Sequence, residues 1–112
     1  MIMKQYTTPE QTAKLIELGF DKPSSIVSVE PIYGIGGISV AKAYNIGELI
    51  EILPKEINND TLPDMLNVYI DHNKMWAVNY SNVLGEVYSI CRTELIDALY
   101  DMLVKLKDEM VI

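Results

Sequence analysis

Apolar residues recur at three- and four-residue spacing in three segments of the chain, which is typical of amphipathic helices. In the first segment, Thr8 and Gln11 are spaced to form a capping box around Pro9. Gly19 lies where a left-handed residue ends a helix, and Phe20 is placed to fold back onto it. The pattern predicts a helix that begins after Thr8 and ends before Gly19.

The second segment contains a start signal and a stop signal within residues 44–57. Asn45 and Glu48 have the spacing of a capping box with asparagine as the cap. Pro54 cannot continue a regular helix, so we expect this helix to end near Leu53.

The third segment, Glu94–Lys107, follows Thr93 and is the longest of the three. Its apolar stripe comprises Leu95, Leu99, Met102 and Leu106, and the stripe is broadened by Ile96, Tyr100, Leu103 and Val104. A helix that is apolar over so wide an arc is buried on two sides. The second side meets either other elements of the same domain or a protein partner, including a second copy of the chain. The pattern therefore marks Ile96, Tyr100, Leu103 and Val104 as a candidate interaction surface.

Two hairpins are predicted between the helices. The first comprises residues 25–32 and 38–44 around the glycine turn Gly34–Gly37, in a register that places Glu30 across from Lys42.

The second hairpin comprises residues 65–70 and 75–80, and both an even loop and a three-residue loop are compatible with its turn. The three-residue loop collects the large apolar residues on one face, namely Leu66, Val68, Ile70, Trp76, Val78 and Tyr80. We favour this register, with Asn73 in the left-handed position and Trp76 largely buried.

The remaining stretches are less regular. Residues 58–63 have the composition of a loop, and residues 81–92 fit either a loop or a loop with a short strand at 87–90. The order helix, hairpin, helix, hairpin, helix indicates an α+β fold: an antiparallel sheet of about four strands with helices packed on one face. The length predicts a single globular domain that spans residues 1–112.

Charge and composition narrow the list of partners. Sixteen acidic and nine basic residues give a net charge of −7, which repels the phosphate backbone of nucleic acids. A solvated acidic surface explains this charge, and a mimic of nucleic-acid charge is the alternative. No apolar run approaches the roughly 20 residues of a membrane span, so we expect no membrane partner. The single cysteine and an opening that lacks the apolar region of a signal peptide predict a cytoplasmic protein.

Few residues have a side chain suited to catalysis. His72 is the only histidine, and no second histidine or cysteine lies at a zinc-ligand spacing. Cys91 has no base assigned to it by the sequence, and we interpret it as a small buried apolar residue. Gly34–Gly37 lacks the lysine and the following helix of a phosphate-binding loop. We therefore expect no catalytic residue, no metal and no cofactor, and a protein that is not an enzyme.

The segments Lys4–Phe20, Tyr44–Ile57 and Thr93–Asp108 resemble a group of short uncharacterised proteins of Bacteroides-type gut bacteria and of their prophages and other mobile elements. The resemblance covers most of the chain, and residues 58–92 are its least similar part. The resemblance implies a cytoplasmic accessory protein of phage or mobile-element origin, and it assigns no catalytic residue.

Three functions remain open at this level. The leading hypothesis is a non-catalytic protein–protein interaction or assembly protein, with a homodimer through the last helix as one form. The alternative is an enzyme or small-ligand binder with an aromatic-lined pocket between sheet and helices. Its candidate lining residues are Tyr69, Trp76, Tyr80 and Tyr88, with Glu48 or Asp71 as the polar group. The third hypothesis is an acidic mimic of nucleic acid.

Overall fold

The computed structural model describes residues 4–21, 23, 25–29, 39–57 and 63–112 of the chain. The helices are α1 (Pro9–Glu17), α2 (Ile46–Ile52) and α3 (Leu95–Asp108). The strands are β1 (Ser25–Val29), β2 (Ser39–Ala43), β3 (Glu56–Ile57), β4 (Asp64–Ile70), β5 (Trp76–Asn82) and β6 (Gly85–Arg92). They form an antiparallel β1–β2 pair and a four-stranded antiparallel sheet in the order β3-β4-β5-β6. The α+β class and a four-stranded sheet are confirmed, but the first hairpin forms a separate sheet.

Both predicted capping boxes are present. Thr8 and Asn45 each accept a hydrogen bond from the backbone N–H three residues later, and Gln11 and Glu48 accept one from the N–H of the cap. α2 ends before Leu53, whose extended backbone (φ −64°, ψ 129°) is the conformation favoured before a proline.

The C-termini of α1 and α3 share one geometry. At the end of α1, the N–H groups of Gly19 and Phe20 donate to the carbonyls of Ile16 and Leu15 at 3.0 and 3.2 Å. Gly19 has φ 95°, as predicted for a left-handed cap where glycine avoids a steric penalty. α3 ends with the same pair of hydrogen bonds, but its left-handed residue is Met110 (φ 58°).

The β1–β2 hairpin has a different register from the predicted one. Lys42 lies opposite Ile26 rather than Glu30. Glu30 and the glycine turn lie outside the described residues.

The predicted register of the second hairpin is confirmed. The opposed pairs are Leu66 with Tyr80, Val68 with Val78, and Ile70 with Trp76. The three-residue loop 72–74 is closed by a hydrogen bond from the N–H of Asp71 to the carbonyl of Met75 (2.9 Å). Its left-handed residue is Lys74 (φ 61°) rather than Asn73, because loops of this type place their last residue in that conformation.

Residues 85–92 form one long strand, β6. The sequence was compatible with either a loop or a loop with a short strand in this region. β6 pairs with β5 along its length except at Val87, which a register shift next to Tyr80 and Ser81 leaves without an opposite residue. The turn before β6 consists of Val83 and Leu84, neither of which is a typical turn former. The sequence therefore carries only a weak hairpin signal at this point.

The core lies between α3 and one face of the four-stranded sheet. α3 packs on β5, β6 and α2. The largest fully buried side chains are Leu15, Tyr44, Leu49, Leu53, Val78, Tyr80, Ile96, Leu99, Met102, Leu103 and Leu106. Trp76, at the first position of β5, packs against this core with a minor part of its side chain exposed, which agrees with the prediction of a largely buried tryptophan.

Candidate functional site

The predicted interaction surface on α3 belongs largely to the core. Ile96 and Leu103 are fully buried within the chain, and only Tyr100 and Val104 keep part of their side chains exposed. The broad apolar arc of α3 is explained by contacts with the sheet on one side and α2 on the other. An interface made of all four residues is therefore incompatible with this fold, whereas Tyr100 and Val104 remain accessible.

The accessible flank of α3 adjoins the outer edge of the sheet. β6 is an edge strand of eight residues, and no strand of the described residues pairs with its outer side. The opposite edge, β3, has two residues in the described part of the chain. An edge strand presents a row of backbone N–H and C=O groups that can pair with another chain.

The outward-pointing groups of β6 follow from the alternation of an antiparallel sheet. The pair that closes the β4–β5 loop is hydrogen-bonded, so Val78 turns its backbone groups away from β4 and toward β6. Its partner Ile90 therefore points toward β5, and the neighbours Ser89 and Cys91 point outward.

One outward group is already occupied. The Arg92 guanidinium donates from Nη1 to the carbonyl of Cys91 (2.7 Å), and its Nε lies 2.6 Å from a carboxylate oxygen of Asp101 on α3. By this alternation, both backbone groups of Ser89 and the N–H of Cys91 lie outside the β5–β6 ladder. Arg92 thus partly covers the edge and leaves the centre of β6 accessible.

A groove of about 390 Å³ lies between β6 and α3. Its lining residues are Ile90, Arg92, Asp101, Val104, Lys105, Asp108 and Glu109. Ile90 and Val104 are its apolar part, and charged residues lie on either side of them. The groove therefore combines a free strand edge with side chains that can distinguish one bound segment from another.

One ion pair beside the groove joins β6 to α3, and a second lies at the end of α3 at helical spacing. Asp101 pairs with Arg92 rather than with Lys105, and Lys105 pairs with Glu109 at 3.5 Å. The Lys105 ammonium also lies 5.8 Å from the centre of the Tyr88 ring. Asp108, in contrast, is exposed and forms no ion pair within the described part of the chain. This carboxylate is the one at the groove that is available to an incoming cation.

The tip of the β5–β6 hairpin is a further apolar feature. Val83 and Leu84 are 88% and 85% exposed, and Val87 in the irregular part of β6 is 50% exposed. Exposed apolar side chains grouped in this way often mark an interaction site. The sequence shows these residues as apolar, but only the hairpin geometry places them at a tip.

A second cleft, of about 480 Å³, lies between the end of α1 and α2. It is lined by Gly19, Phe20, Asp21, Tyr44, Glu48, Glu51 and Ile52. Burial raises the pKa of Tyr44, and the carboxylates of Glu48 and Asp21 raise it further, so the hydroxyl stays protonated and donates to the carbonyl of Asp21. The Lys107 ammonium lies 5.5 Å from the centre of the Phe20 ring. This acidic and aromatic cleft suits a cation and contains no nucleophile with a base.

Three of the four aromatic residues of the expected pocket, Trp76, Tyr80 and Tyr88, share one face of the sheet and pack with the core instead of lining a pocket. Tyr69 lies on the face of the sheet opposite Trp76 and Tyr80, because strand side chains alternate between faces. Its hydroxyl accepts a hydrogen bond from the side-chain amide of Asn79 (3.1 Å) on that face. Neither cleft is lined by Tyr69, Trp76, Tyr80 or Tyr88, although Glu48 lines the second.

Asp71 has a structural role in the hairpin loop. The backbone N–H groups of Met75 and Asn73 donate to its carboxylate at 3.1 and 2.8 Å. These bonds lower the pKa of Asp71, with the Met75 N–H as the largest cause, and the Cys91 thiol and His72 lower it further. Cys91 is partly buried rather than fully buried as expected. Among the residues that the structure describes, no three His, Cys, Asp or Glu side chains are grouped as a metal site requires.

Comparisons with protein-family models, with curated proteins and with solved structures find no match to this chain. In the described ranges, every helix is too short or too polar to cross a membrane. The edge strand and the two clefts are therefore the features from which a function can be inferred.

Proposed function

We propose that this chain is a non-catalytic interaction protein that binds an extended protein segment along the free edge of β6. The observation that supports this function is the pair of outward-pointing residues Ser89 and Cys91 beside the groove between β6 and α3. In strand addition, backbone hydrogen bonds supply affinity and side-chain pockets supply specificity. β6 and its groove contain both components.

The composition of β6 favours use of this edge. Proteins commonly protect an edge strand with lysine, proline or a covering element. β6 contains neither lysine nor proline over its eight residues, and only its ends carry the charged residues Glu86 and Arg92. A long edge with so little protection is an aggregation hazard unless a partner covers it.

The other sequence-based proposals have less support. Lys4, Arg92 and Lys105 each pair with a carboxylate on or next to α3, which interrupts the continuous negative surface that a nucleic-acid mimic needs. The cytoplasmic location and the origin in a phage or mobile element stay as predictions.

Selection of random octapeptides displayed on phage tests the proposed binding mode. Ser89→Pro removes an outward N–H, which proline lacks, while the hydrogen bonds of Ile90 to β5 remain. We expect selected peptides to bind this variant about two- to tenfold more weakly, because one backbone hydrogen bond is lost. Ser89→Thr keeps the N–H and serves as the matched control. Circular dichroism establishes that both variants are folded.

Hydrogen exchange gives a second readout for the same proposal. The amides of Ser89 and Cys91 should exchange rapidly in the free protein and slowly once a selected peptide is bound. Peptides that bind wild type and Ser89→Pro equally, or that protect other amides only, would contradict strand addition.

A small-cation binder is the second candidate function. Its support is the cleft between α1 and α2, where Phe20 already contacts the Lys107 ammonium and Glu51 is exposed to solvent. Calorimetric titration with spermidine should show binding to wild type and weaker binding to Glu51→Gln, since one carboxylate is neutralised. Identical heats for the two proteins would remove this candidate.

A further inference from the structure

We infer that the segment bound by β6 is the β6 strand of a second copy, paired antiparallel about a twofold axis at Ile90. This inference rests on the proposed strand addition and specifies its occupant. The result is a homodimer with one continuous eight-stranded sheet. The sequence predicted a dimer contact through α3. In this dimer the contact is formed by β6 and by the exposed flank of α3.

The hydrogen-bonding pattern of β6 is compatible with this register. A twofold axis at Ile90 places each Ser89 opposite the Cys91 of the other copy. Both residues point their backbone groups outward, so each such pair can exchange two N–H···O=C bonds once the Arg92 guanidinium, which donates to the carbonyl of Cys91 in the single chain, has turned toward the second copy. If the register is shifted by one residue, Ser89 lies opposite the Ile90 of the other copy. The backbone groups of Ile90 are already bonded to β5, so the outward-pointing groups of Ser89 would have no partner.

The side chains of the α3-facing side are also complementary. Ile90 contacts the Ile90 of the second copy beside Val104, in the apolar part of the groove. Tyr88 lies opposite the Arg92 of the other copy, since both are two residues from the axis. The two exposed flanks of α3 then approach each other over the new strand pair, and their apolar surface is covered.

Charge complementarity supports the same register. Arg92 contacts Asp101, and Lys105 lies over Tyr88, so α3 runs antiparallel to β6 and its C-terminal end is close to Tyr88. Asp108, which has no ion pair in the described residues, lies at this end of the groove. An arginine from the second copy opposite Tyr88 is therefore near an available carboxylate. Two such pairs offset part of the repulsion between copies that each carry a net charge of −7.

Cysteine cross-linking tests the register directly. In a Cys91→Ser background, Ile90→Cys places two thiols opposite each other at a non-hydrogen-bonded pair, where Cα atoms are about 4.5 Å apart and a disulfide can form. Tyr88→Cys in the same background is the matched control, because the two copies of position 88 lie about four residues apart in this register. We expect disulfide-linked dimers from Ile90→Cys and none from Tyr88→Cys under mild oxidation.

Sedimentation equilibrium completes the test. Asp108→Lys should weaken the dimer about tenfold, because two exposed ion pairs become repulsive contacts, and Asp108→Asn should have a smaller effect. Equal cross-linking at positions 88 and 90, or a wild-type monomer at all concentrations, would overturn the dimer. If peptides still bind wild type but not Ser89→Pro, the proposed function stands and only the second copy as occupant is rejected.

Discussion

Leu103→Ala decides whether the wide apolar face of α3 is a core or an interface. Leu103 is fully buried in the single chain, where it packs in the cluster that includes Leu99 and Val78. The substitution removes three carbon atoms, which costs roughly 2–2.5 kcal/mol in lost transfer free energy at about 0.8 kcal/mol each. The cavity left behind raises the total to about 3–5 kcal/mol. This is a large part of the folding free energy of a small domain.

Urea unfolding monitored by Trp76 fluorescence measures this cost. With a slope of about 1.5 kcal/mol/M, a loss of 3 kcal/mol lowers the midpoint by about 2 M. Val104→Ala is the matched control, because Val104 lies one position further along α3 and is only partly buried. Its expected cost is about 1 kcal/mol or less.

One result would refute the assignment of Leu103 to the core. If Leu103→Ala changed the unfolding midpoint no more than Val104→Ala, yet abolished self-association in sedimentation, Leu103 would be an interface residue. Measurement of both variants at low protein concentration separates the two effects, because a dimer contributes concentration-dependent stability and a core residue does not.

Three further perturbations test the helix caps, a buried hydroxyl and the acid sensitivity. Met110→Gly should stabilise the protein by about 0.5–1 kcal/mol in thermal unfolding, since Met110 is left-handed and 89% exposed, so glycine relieves backbone strain and little packing is lost. Gly19→Ala should destabilise the protein by about 1 kcal/mol, because Gly19 is also left-handed. Effects of the opposite sign would contradict the cap assignment. Tyr80→Phe should cost about 1–2 kcal/mol in urea, because the buried Tyr80 hydroxyl donates to the carbonyl of Pro54 (2.7 Å) and burial raises its pKa; an unchanged midpoint would disprove this. Burial raises the pKa of Asp97, but hydrogen bonds from Lys4 and Gln11 outweigh it and the net pKa is lowered. Because the pKa is lower in the folded state, the ionised Asp97 stabilises the fold at pH values above the unfolded-state pKa of about 3.9. This stabilisation is lost as the pH falls through the folded-state pKa. The free energies of unfolding of wild type and Asp97→Asn, measured in urea, should therefore differ by roughly 1 kcal/mol at pH 7 and by less below about pH 4. A difference that stays constant with pH would contradict this role of Asp97.

Local signals account for the parts of the fold that were predicted well. The capping boxes at Thr8 and Asn45 and the left-handed Gly19 involve residues within five positions of each other. The register of the β4–β5 hairpin was predictable because only one loop parity separates apolar from polar side chains. Such features depend on the order of residues and on little else.

The functional site could not be predicted in the same way. The arc that contains Ile96 and Val104 is apolar throughout, and apolarity alone does not show which part a neighbouring element covers. The sequence did not predict β6 as a full strand, because the turn that joins it to β5, Val83–Leu84, lacks turn-forming residues. The edge at Ser89 exists only because the four strands take the order β3-β4-β5-β6.

The sequence by itself determined the α+β class, the positions of the three helices and the pairing of β4 with β5, because these follow from periodicity, capping and turn chemistry over short distances. Tertiary structure alone decided that Ile96 and Leu103 are core, that the first hairpin lies outside the main sheet, and that β6 is an edge beside the groove to α3. These outcomes depend on contacts between elements far apart in the chain. Since several arrangements bury the same apolar residues, residue order does not distinguish between them.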